Sequence, residues 1–422
     1  MRDADGRTGG AVVRETDVAH ESDVIVVGAG AAGLSLAYRL CTPPPGRPIP
    51  EVTLIEAPAG PLRPPERTWC FWEDAPGDFD SALSASWESL RVRGRDGAAS
   101  VGRPAPYRYK MLRSGSFEAL LADRLEGPGA PRRVTARIDG VEDVASGAGP
   151  GAEVTGVDGD GLPLTLRARW VFDSRPPRVL PPARTTLLQH FRGWFVHTER
   201  PVFDPRIADL MDFRTSRPAH GLSFGYVLPT TAHEALVEYT EFSRTVLDDA
   251  GYDRALRHYT EQVLGLGPFE VTASEQGVIP MTDGRFARRA GRSVFRIGTA
   301  GGATRPSTGY TFAAVQRQAR AVAAAYHDGR VPEPPPAYPA RARAMDAVLL
   351  RGLDSGRVDG AAFFEGLFRR VPMERLLRFL DGDTRPYEDF AIGLRTPVGP
   401  MLRTVAELPW RPRRAPRGRA VG

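Results

Sequence analysis

Two glycine-rich turns and one glutamate carry most of the chemistry that this sequence could perform. Gly28-Ala29-Gly30-Ala31-Ala32-Gly33 has the spacing of a pyrophosphate-binding turn. In such a turn the first glycine reverses the chain, the second lets the backbone approach phosphate oxygens, and the third brings the following helix close to its strand. Glu56 ends the next apolar run, where a carboxylate grips an adenosine ribose and favours FAD or NAD over NADP. About 270 residues later, Gly298-Thr299-Ala300-Gly301-Gly302 repeats the pattern and runs through Thr308 and Gly309 into a helix expected over Thr311 to Tyr326. Its amides could hold the flavin side of a cofactor whose adenosine end lies at Gly28 to Gly33.

Glu238 shares one face of an alternating strand with Leu236, Thr240 and Phe242. A carboxyl among apolar groups keeps its proton near neutral pH and can deliver it to a weak acceptor, although an exposed strand glutamate is the commoner case. Asp212 and Arg214 form a second polar pair, which could orient a reacting group or simply hold a hairpin. His190 and His197 could relay protons or be structural. Trp69, Phe71, Trp72, Trp194, Phe224 and Tyr226 are candidate substrate contacts, able to cover a flat apolar ligand or stabilise a cation, or else to fill a core. The two cysteines, Cys41 and Cys70, form no metal pattern and are expected to be small buried hydrophobes; no metal is expected.

These residues need a scaffold that reaches both ends of the chain. Val24 to Val27 and Val52 to Ile55 read as parallel strands around the helix Leu34 to Leu40, the Rossmann-type unit of an α/β fold. The expected division is a disordered leader at 1–21, nucleotide-binding segments at 22–75, 105–185 and 290–330, and a substrate domain built from an insertion at 76–104 and an antiparallel sheet at 186–289. A helical region at 340–405 and a basic disordered tail at 406–422 complete it. Residues 66–73 read as a loop, 143–164 as surface hairpins, and Leu222 to Leu228 with Ala235 to Phe242 as a hairpin. The apolar stripe from Phe363 to Leu380 is expected to be core, to line a tunnel for lipids, or to face a bilayer.

At 422 residues, 41% hydrophobic and 25% charged, the composition is that of an ordinary globular protein. The leader lacks the apolar segment of a signal peptide and no apolar run is long enough to span a bilayer, so a cytoplasmic protein is expected. Lys110 is the one lysine, and the net charge of +5 rests on arginine. No nucleic-acid-binding signature accompanies it, so nucleic acid is not an expected partner. The tail Arg411 to Arg419 could lie on an anionic membrane surface or remain solvated.

The sequence resembles the bacterial lycopene β-cyclases, of the FAD-dependent lycopene cyclase family. The likeness rests on Asp23 to Gly33, Arg67 to Trp72, Gln189 to Trp194, Met211 to Arg214, Phe224 to Pro229, Leu236 to Thr240, Gly277 to Met281 and Gly298 to Phe312, in family order. It implies the hydroxylase-like flavoprotein fold with an interleaved antiparallel substrate domain and C-terminal helices. It also implies a reaction without net oxidation, in which the acyclic ends of lycopene are protonated and closed to β-ionone rings, giving γ-carotene and β-carotene. FAD would act in its reduced form, with NAD(P)H a candidate electron source. Glu238 matches the shared glutamate of the family's Phe-Leu-Glu-Glu-Thr-like signature, and Tyr239 replaces the second glutamate that plant members carry. Arg67 would contact the flavin, and Thr299 stands where many relatives have an aspartate. Lycopene would be drawn from a membrane with which the protein associates peripherally. The competing expectations are a flavin monooxygenase or prenyl reductase on the same fold, and an inactive nucleotide-binding scaffold.

Overall fold

A computed structural model describes residues 19–74, 76–146, 149–218 and 221–415. Its first sheet carries five parallel strands in the order β8 (Arg132–Ser146), β2 (Val52–Glu56), β1 (Ala19–Val27), β10 (Pro163–Asp173) and β16 (Val294–Arg296). β9 (Gly149–Asp158) runs antiparallel between β8 and β10, so residues 143–164, expected as surface hairpins, prolong the nucleotide sheet instead. Helix α1 (Ala31–Cys41) buries Leu34, Leu36, Ala37 and Leu40 against this sheet, beside α4 (Phe312–His327). Gln316 of α4 donates to Ser35 of α1 at 2.7 Å, which ties the late helix to the early one.

The second sheet has seven strands in the order β15 (Phe269–Thr282), β11 (Thr186–Thr198), β14 (Glu234–Ser243), β13 (Leu222–Pro229), β12 (Ile207–Asp212), β5 (Ser89–Arg93) and β6 (Ala99–Gly102). Its alternation separates two apolar clusters. Leu236 and Phe242 face inward with Phe224, Met281 and Phe364, whereas Val237 and Tyr239 face outward, under α3 (Asp249–Arg257) and its π-helical continuation His258–Val263. A small third sheet, β3 (Thr68–Asp74), β7 (Tyr107–Arg113) and β4 (Leu83–Trp87), connects the two units, so part of 76–104 belongs neither to the nucleotide sheet nor to the large substrate sheet.

Residues 68–73 form strand β3 where a covering loop is expected. Seven register pairs with β7, Thr68↔Arg113 through Asp74↔Tyr107, satisfy its backbone. α2 (Ser114–Arg124) follows β7 directly. At the C-terminal end, α5 (Ala340–Asp354), α6 (Gly360–Arg370) and α7 (Met373–Asp381) bury Phe363, Phe364, Leu367, Leu376 and Leu377 in the inward cluster, so that stripe is core. α8 (Pro386–Gly393) and α9 (Val398–Glu407) lie outside them. No helix among the described residues is long and apolar enough to cross a membrane.

The described residues reach into both segments expected to be disordered. Residues 1–18 of the leader lie outside the described residues, but Ala19 to Glu21 already belong to β1. In the tail, α9 runs to Glu407, Arg413 pairs with Asp283 at 3.4 Å, and Arg414 bridges Ala183; residues 416–422 lie outside the described residues. Arginine pairing with buried or backbone acceptors supplies the order that composition alone did not suggest.

Candidate active site

The first glycine turn closes on itself and leaves one backbone face open. A Cβ at Gly33 would overlap the Gly28 carbonyl oxygen, and one at Gly28, where φ is +99°, would overlap Ser174 Oγ. Gly30 is different: its φ of −84° suits any residue, and a Cβ there would meet no protein atom within 4 Å. Glycine at position 30 therefore answers to something beyond the protein, as a pyrophosphate at the amino end of α1 would require. Ala31 and Ala32 open that helix, and Glu56 ends β2 with Arg63 at 4.0 Å.

The second glycine element packs on the first. A Cβ at Gly298 would lie 2.9 Å from that of Ala32, which brings Gly298–Gly301, a 3-10 turn, against the start of α1. A cavity follows this turn, lined by Thr282, Phe286, Thr299, Gly301, Gly302 and Thr304. Ala300 is buried beneath it. Further on, the loop meets the substrate sheet: a Cβ at Gly309 would collide with Gln189 Oε1 of β11. Gln189 Oε1 and Thr308 Oγ1 are both buried without a hydrogen-bond partner among the described residues. Such orphaned acceptors suit the polar edge of an isoalloxazine ring, so the residues present fit a flavin dinucleotide.

One unforeseen pair fixes this loop. Arg305 is 1% exposed and meets Asp346 of α5 at 2.8 Å, while Ser307 Oγ donates to Asp346 at 2.7 Å. Burial pushes the Asp346 carboxyl upward, against the lowering effect of Arg305. Arg305→Ala should destabilise the protein by about 3–5 kcal/mol, because it strands a buried carboxylate. A urea unfolding midpoint equal to that of the parent would dismiss this role.

The reactive residues gather where the inner face of the substrate sheet meets β3 and β7. Glu238 pairs with Tyr226 on one side and with Gly193 on the other, and Gly193 in turn faces Glu275 on β15. A Cβ at Gly193 would lie 2.8 Å from Leu236 Cδ1, 3.5 Å from Glu275 Cγ and 3.6 Å from Glu238 Cβ, so the stems of the two glutamates flank this glycine. Thr240 donates to Glu238 at 2.5 Å, and Thr68 donates to Glu275 at 2.8 Å. Glu238 is 7% exposed. Burial, reinforced by the neighbouring Glu275 and only partly opposed by Thr240, pushes its pKa up to about 8. Burial raises Glu275 as well, opposed by Thr68 and by the charges of Arg113 and Arg67. Arg67 thus bears on the second carboxylate, beside the start of β3.

Aromatic groups surround the pair. Tyr109 OH bonds to Tyr226 OH and lies 2.8 Å from Tyr310 OH, and Trp72 meets Tyr310 edge-on with centroids 4.7 Å apart. Cys70 packs beside them, its thiol pushed up to about 12 by burial and so kept neutral. Phe224 packs edge-on to Phe242 at 5.4 Å within the same cluster. The arrangement offers a protonated carboxyl, electron-rich ring faces and no exposed nucleophile.

Of the expected site residues, Glu238, Phe224, Tyr226 and Trp72 meet here, and the others lie elsewhere. Asp212 and Arg214 form an ion pair at 2.5 Å on the outer face, where Tyr259 donates to Asp212 at 3.0 Å; they brace the sheet and do not reach Glu238. Trp194 also faces outward, in the cluster with Val237 and Tyr239. Trp69 and Phe71 point from β3 into the nucleotide core, where both pack on Phe312 at 5.4 and 4.7 Å. His190 is buried on the outer side between Tyr252 at 2.7 Å and Ser243 at 2.8 Å, and burial lowers its pKa to about 4, so it stays neutral and is no relay to Glu238. His197 is half exposed beside Glu234. Glu275, Tyr109, Tyr310 and Gln189 are the residues the sequence did not single out. Glu275 shares strand parity with Gly277, but only the β11 register sets it across from Glu238.

The sequence matches the family described as Lycopene cyclase protein over residues 23–406. It has no significant match among curated protein sequences. Among solved structures, a flavoprotein/dehydrogenase from Cytophaga hutchinsonii is similar with a TM-score of 0.60 at 12% identity, covering 92% of this chain and 100% of that one. A geranylgeranyl bacteriochlorophyll reductase-like protein from Thermoplasma acidophilum gives 0.57 at 12% identity, covering 92% and 99%. A flavin-dependent monooxygenase solved with FAD and substrate gives 0.55 at 13% identity, covering 93% and 73%. At these identities the likeness is one of fold, that of the flavoproteins with interleaved sheets and C-terminal helices.

Proposed function

The chain belongs to the lycopene cyclase family, and from that premise we propose that it is a lycopene β-cyclase that closes the acyclic ends of lycopene without net oxidation. The observation that carries this reading is Glu238, a carboxyl raised to about 8 on the apolar inner face of the substrate sheet. A group with that pKa holds its proton at neutral pH and is a stronger acid than its setting suggests once a cation can form beside it.

Glu238 adds its proton to the terminal double bond, forming a C–H bond and leaving a tertiary carbocation. The neighbouring double bond attacks that carbon, the ring C–C bond forms and the charge moves into the ring. A ring C–H bond then gives up its proton to a carboxylate, Glu238 or Glu275, and its electrons form the ring double bond. One proton enters and one leaves, so the product is an isomer. Tyr226, Tyr310, Trp72 and Phe224, which pack in the same cluster, would supply ring faces to the cation, and the buried setting would exclude the water that traps it.

FAD would be held by Gly28 to Gly33, Glu56, and Gly298 to Gly302 with Thr308, Gly309 and Gln189. In its reduced form it supplies an electron-rich plane that stabilises positive charge. The acid needs its proton, so ring formation is expected to be highest below about pH 8 and to fall as pH rises through that value. A rate that climbs steadily to pH 10 would count against Glu238 as the acid.

The test of the function is expression in a lycopene-accumulating bacterium followed by pigment analysis. β-Carotene or γ-carotene is the expected product; persistent lycopene beside folded, flavin-bearing protein sinks the reading. NAD(P)H is proposed only to keep the flavin reduced, so its consumption in proportion to product, together with oxygen, would instead indicate a monooxygenase. We propose further that lycopene comes from the cytoplasmic face of a membrane.

A further inference from the structure

α8, α9 and the turn after them turn an apolar face outward. Of the sixteen large hydrophobic residues exposed among the described residues, seven fall between Tyr387 and Trp410, which is clustering and not scatter. Tyr387, Phe390, Leu394, Leu402, Val405 and Trp410 include side chains 70% exposed at Phe390 and 87% at Trp410. Inward, the same helices are held by ordinary packing: Ile392 is buried, Met401 packs on the inward cluster, and Thr404 is fully enclosed.

The net charge around this face is positive. Residues 385–415 hold six arginines and three acids. All three acids are engaged: Glu388 by Arg378 at 2.9 Å, Asp389 by Arg341 at 2.7 Å, and Glu407 by Arg351 and Arg411 at 2.7 Å. Among the described residues, Arg385, Arg395, Arg403 and Arg414 have no carboxylate within 4 Å, and all four are exposed. An aromatic and aliphatic face rimmed by arginines that have no carboxylate partner, Arg395 donating to the Arg370 carbonyl at 2.7 Å, matches the headgroup zone of an anionic bilayer, where indole and phenol rings settle and guanidinium groups meet phosphates.

We propose that α8, α9 and Trp410 form the surface by which this protein docks on an anionic lipid bilayer. The cluster beneath it, reached by Ile392 and Met401, is continuous with the one that holds Phe224, Tyr226 and Tyr310. Docking follows from exposure and charge alone and is independent of the cyclisation chemistry.

The test uses the purified full chain and vesicles free of carotenoid, so its failure is separate from failure of the cyclase assignment. The protein should sediment with phosphatidylglycerol vesicles and much less with phosphatidylcholine vesicles, and lipids brominated near the headgroup should quench emission that the Trp410→Phe variant lacks. Phe390→Asp with Leu402→Asp should weaken binding tenfold or more, by about the apolar area withdrawn from lipid. Arg395→Ala with Arg403→Ala should cost about fivefold per arginine at low salt and little at high salt. Both variants alter exposed side chains, and an unchanged thermal melt certifies their folding. Equal sedimentation of the apolar variant and the parent, or no sedimentation with either lipid, overturns the proposal. So does a lipid-free dimer that the same two aspartates dissociate, since a second copy would then be the occupant.

Discussion

Glu238→Gln should abolish ring formation to within roughly a thousandfold of the parent rate, the loss of a positioned general acid, while the protein keeps its flavin. Glutamine retains the size of the side chain and an acceptor for the Thr240 hydroxyl, so the strand register and the Tyr226 contact persist. The stability of the two proteins should diverge with pH in a defined direction. Glu238 is raised from the ordinary value of 4.5 to about 8, so the folded state holds a proton that the unfolded chain has lost. Its contribution to stability is whole below about 4.5 and is lost as pH rises to about 8. The glutamine variant has no such loss and should melt higher than the parent at pH 9. Glu275→Gln should act more gently: removing that neighbouring charge lowers the pKa of Glu238, so the alkaline fall in rate moves to lower pH. Full activity in Glu238→Gln would remove it from the chemistry, and an unmoved limb in Glu275→Gln would separate the two carboxylates.

Gly30→Val should lose bound flavin by a hundredfold or more in affinity, on the order expected when a side chain fills the backbone face that a pyrophosphate must approach. The fold should survive, because φ at Gly30 is −84° and no protein atom lies within 4 Å of the new Cβ. Gly33→Val provides the contrast, since its Cβ overlaps the Gly28 carbonyl oxygen and should unfold the turn itself. Flavin released on denaturation, compared with the melting profile, separates the two outcomes. Parent-level FAD in a folded Gly30→Val protein would mean that the ligand of this turn is something else.

Much of this was legible in the sequence because it is local. The spacing of Gly28, Gly30 and Gly33 fixes a turn within six residues, and the parity of Leu236, Glu238 and Thr240 fixes a shared face. Parity does not say which neighbour a face meets. Trp194 and Phe195 are equally apolar and adjacent, yet Trp194 joins the outer cluster while Phe195 lies under the Arg113 guanidinium at 4.7 Å on the inner side. Only the pairing Gly193↔Glu238 decides between them. The same holds for Trp69 and Trp72, three residues apart on β3 and therefore on opposite faces, one against Phe312 and the other against Tyr310. Asp212 and Arg214 lie on the face away from Glu238 for the same reason, and Glu275 escaped notice because its partner lies two strands and 37 positions away. The outward face of α8 and α9 was hidden by its context. Its apolar residues have helical spacing like that of the buried Phe363 stripe, and only exposure distinguishes the two.

The order of strands in the first sheet has a consequence for how this chain is made. β1 and α1 leave the ribosome early, yet their parallel neighbour β10 arrives after residue 163, and β16, which completes the sheet through Val171↔Val294, comes later still. The contact between Ala32 and Gly298 can form only once about 300 residues have been synthesised. Until then Val171 to Asp173 of β10 stand as an unpaired edge of the nascent sheet. The two halves of the proposed dinucleotide cradle therefore meet only after about 300 of the 422 residues have been made, and flavin capture, as proposed, must wait for that point.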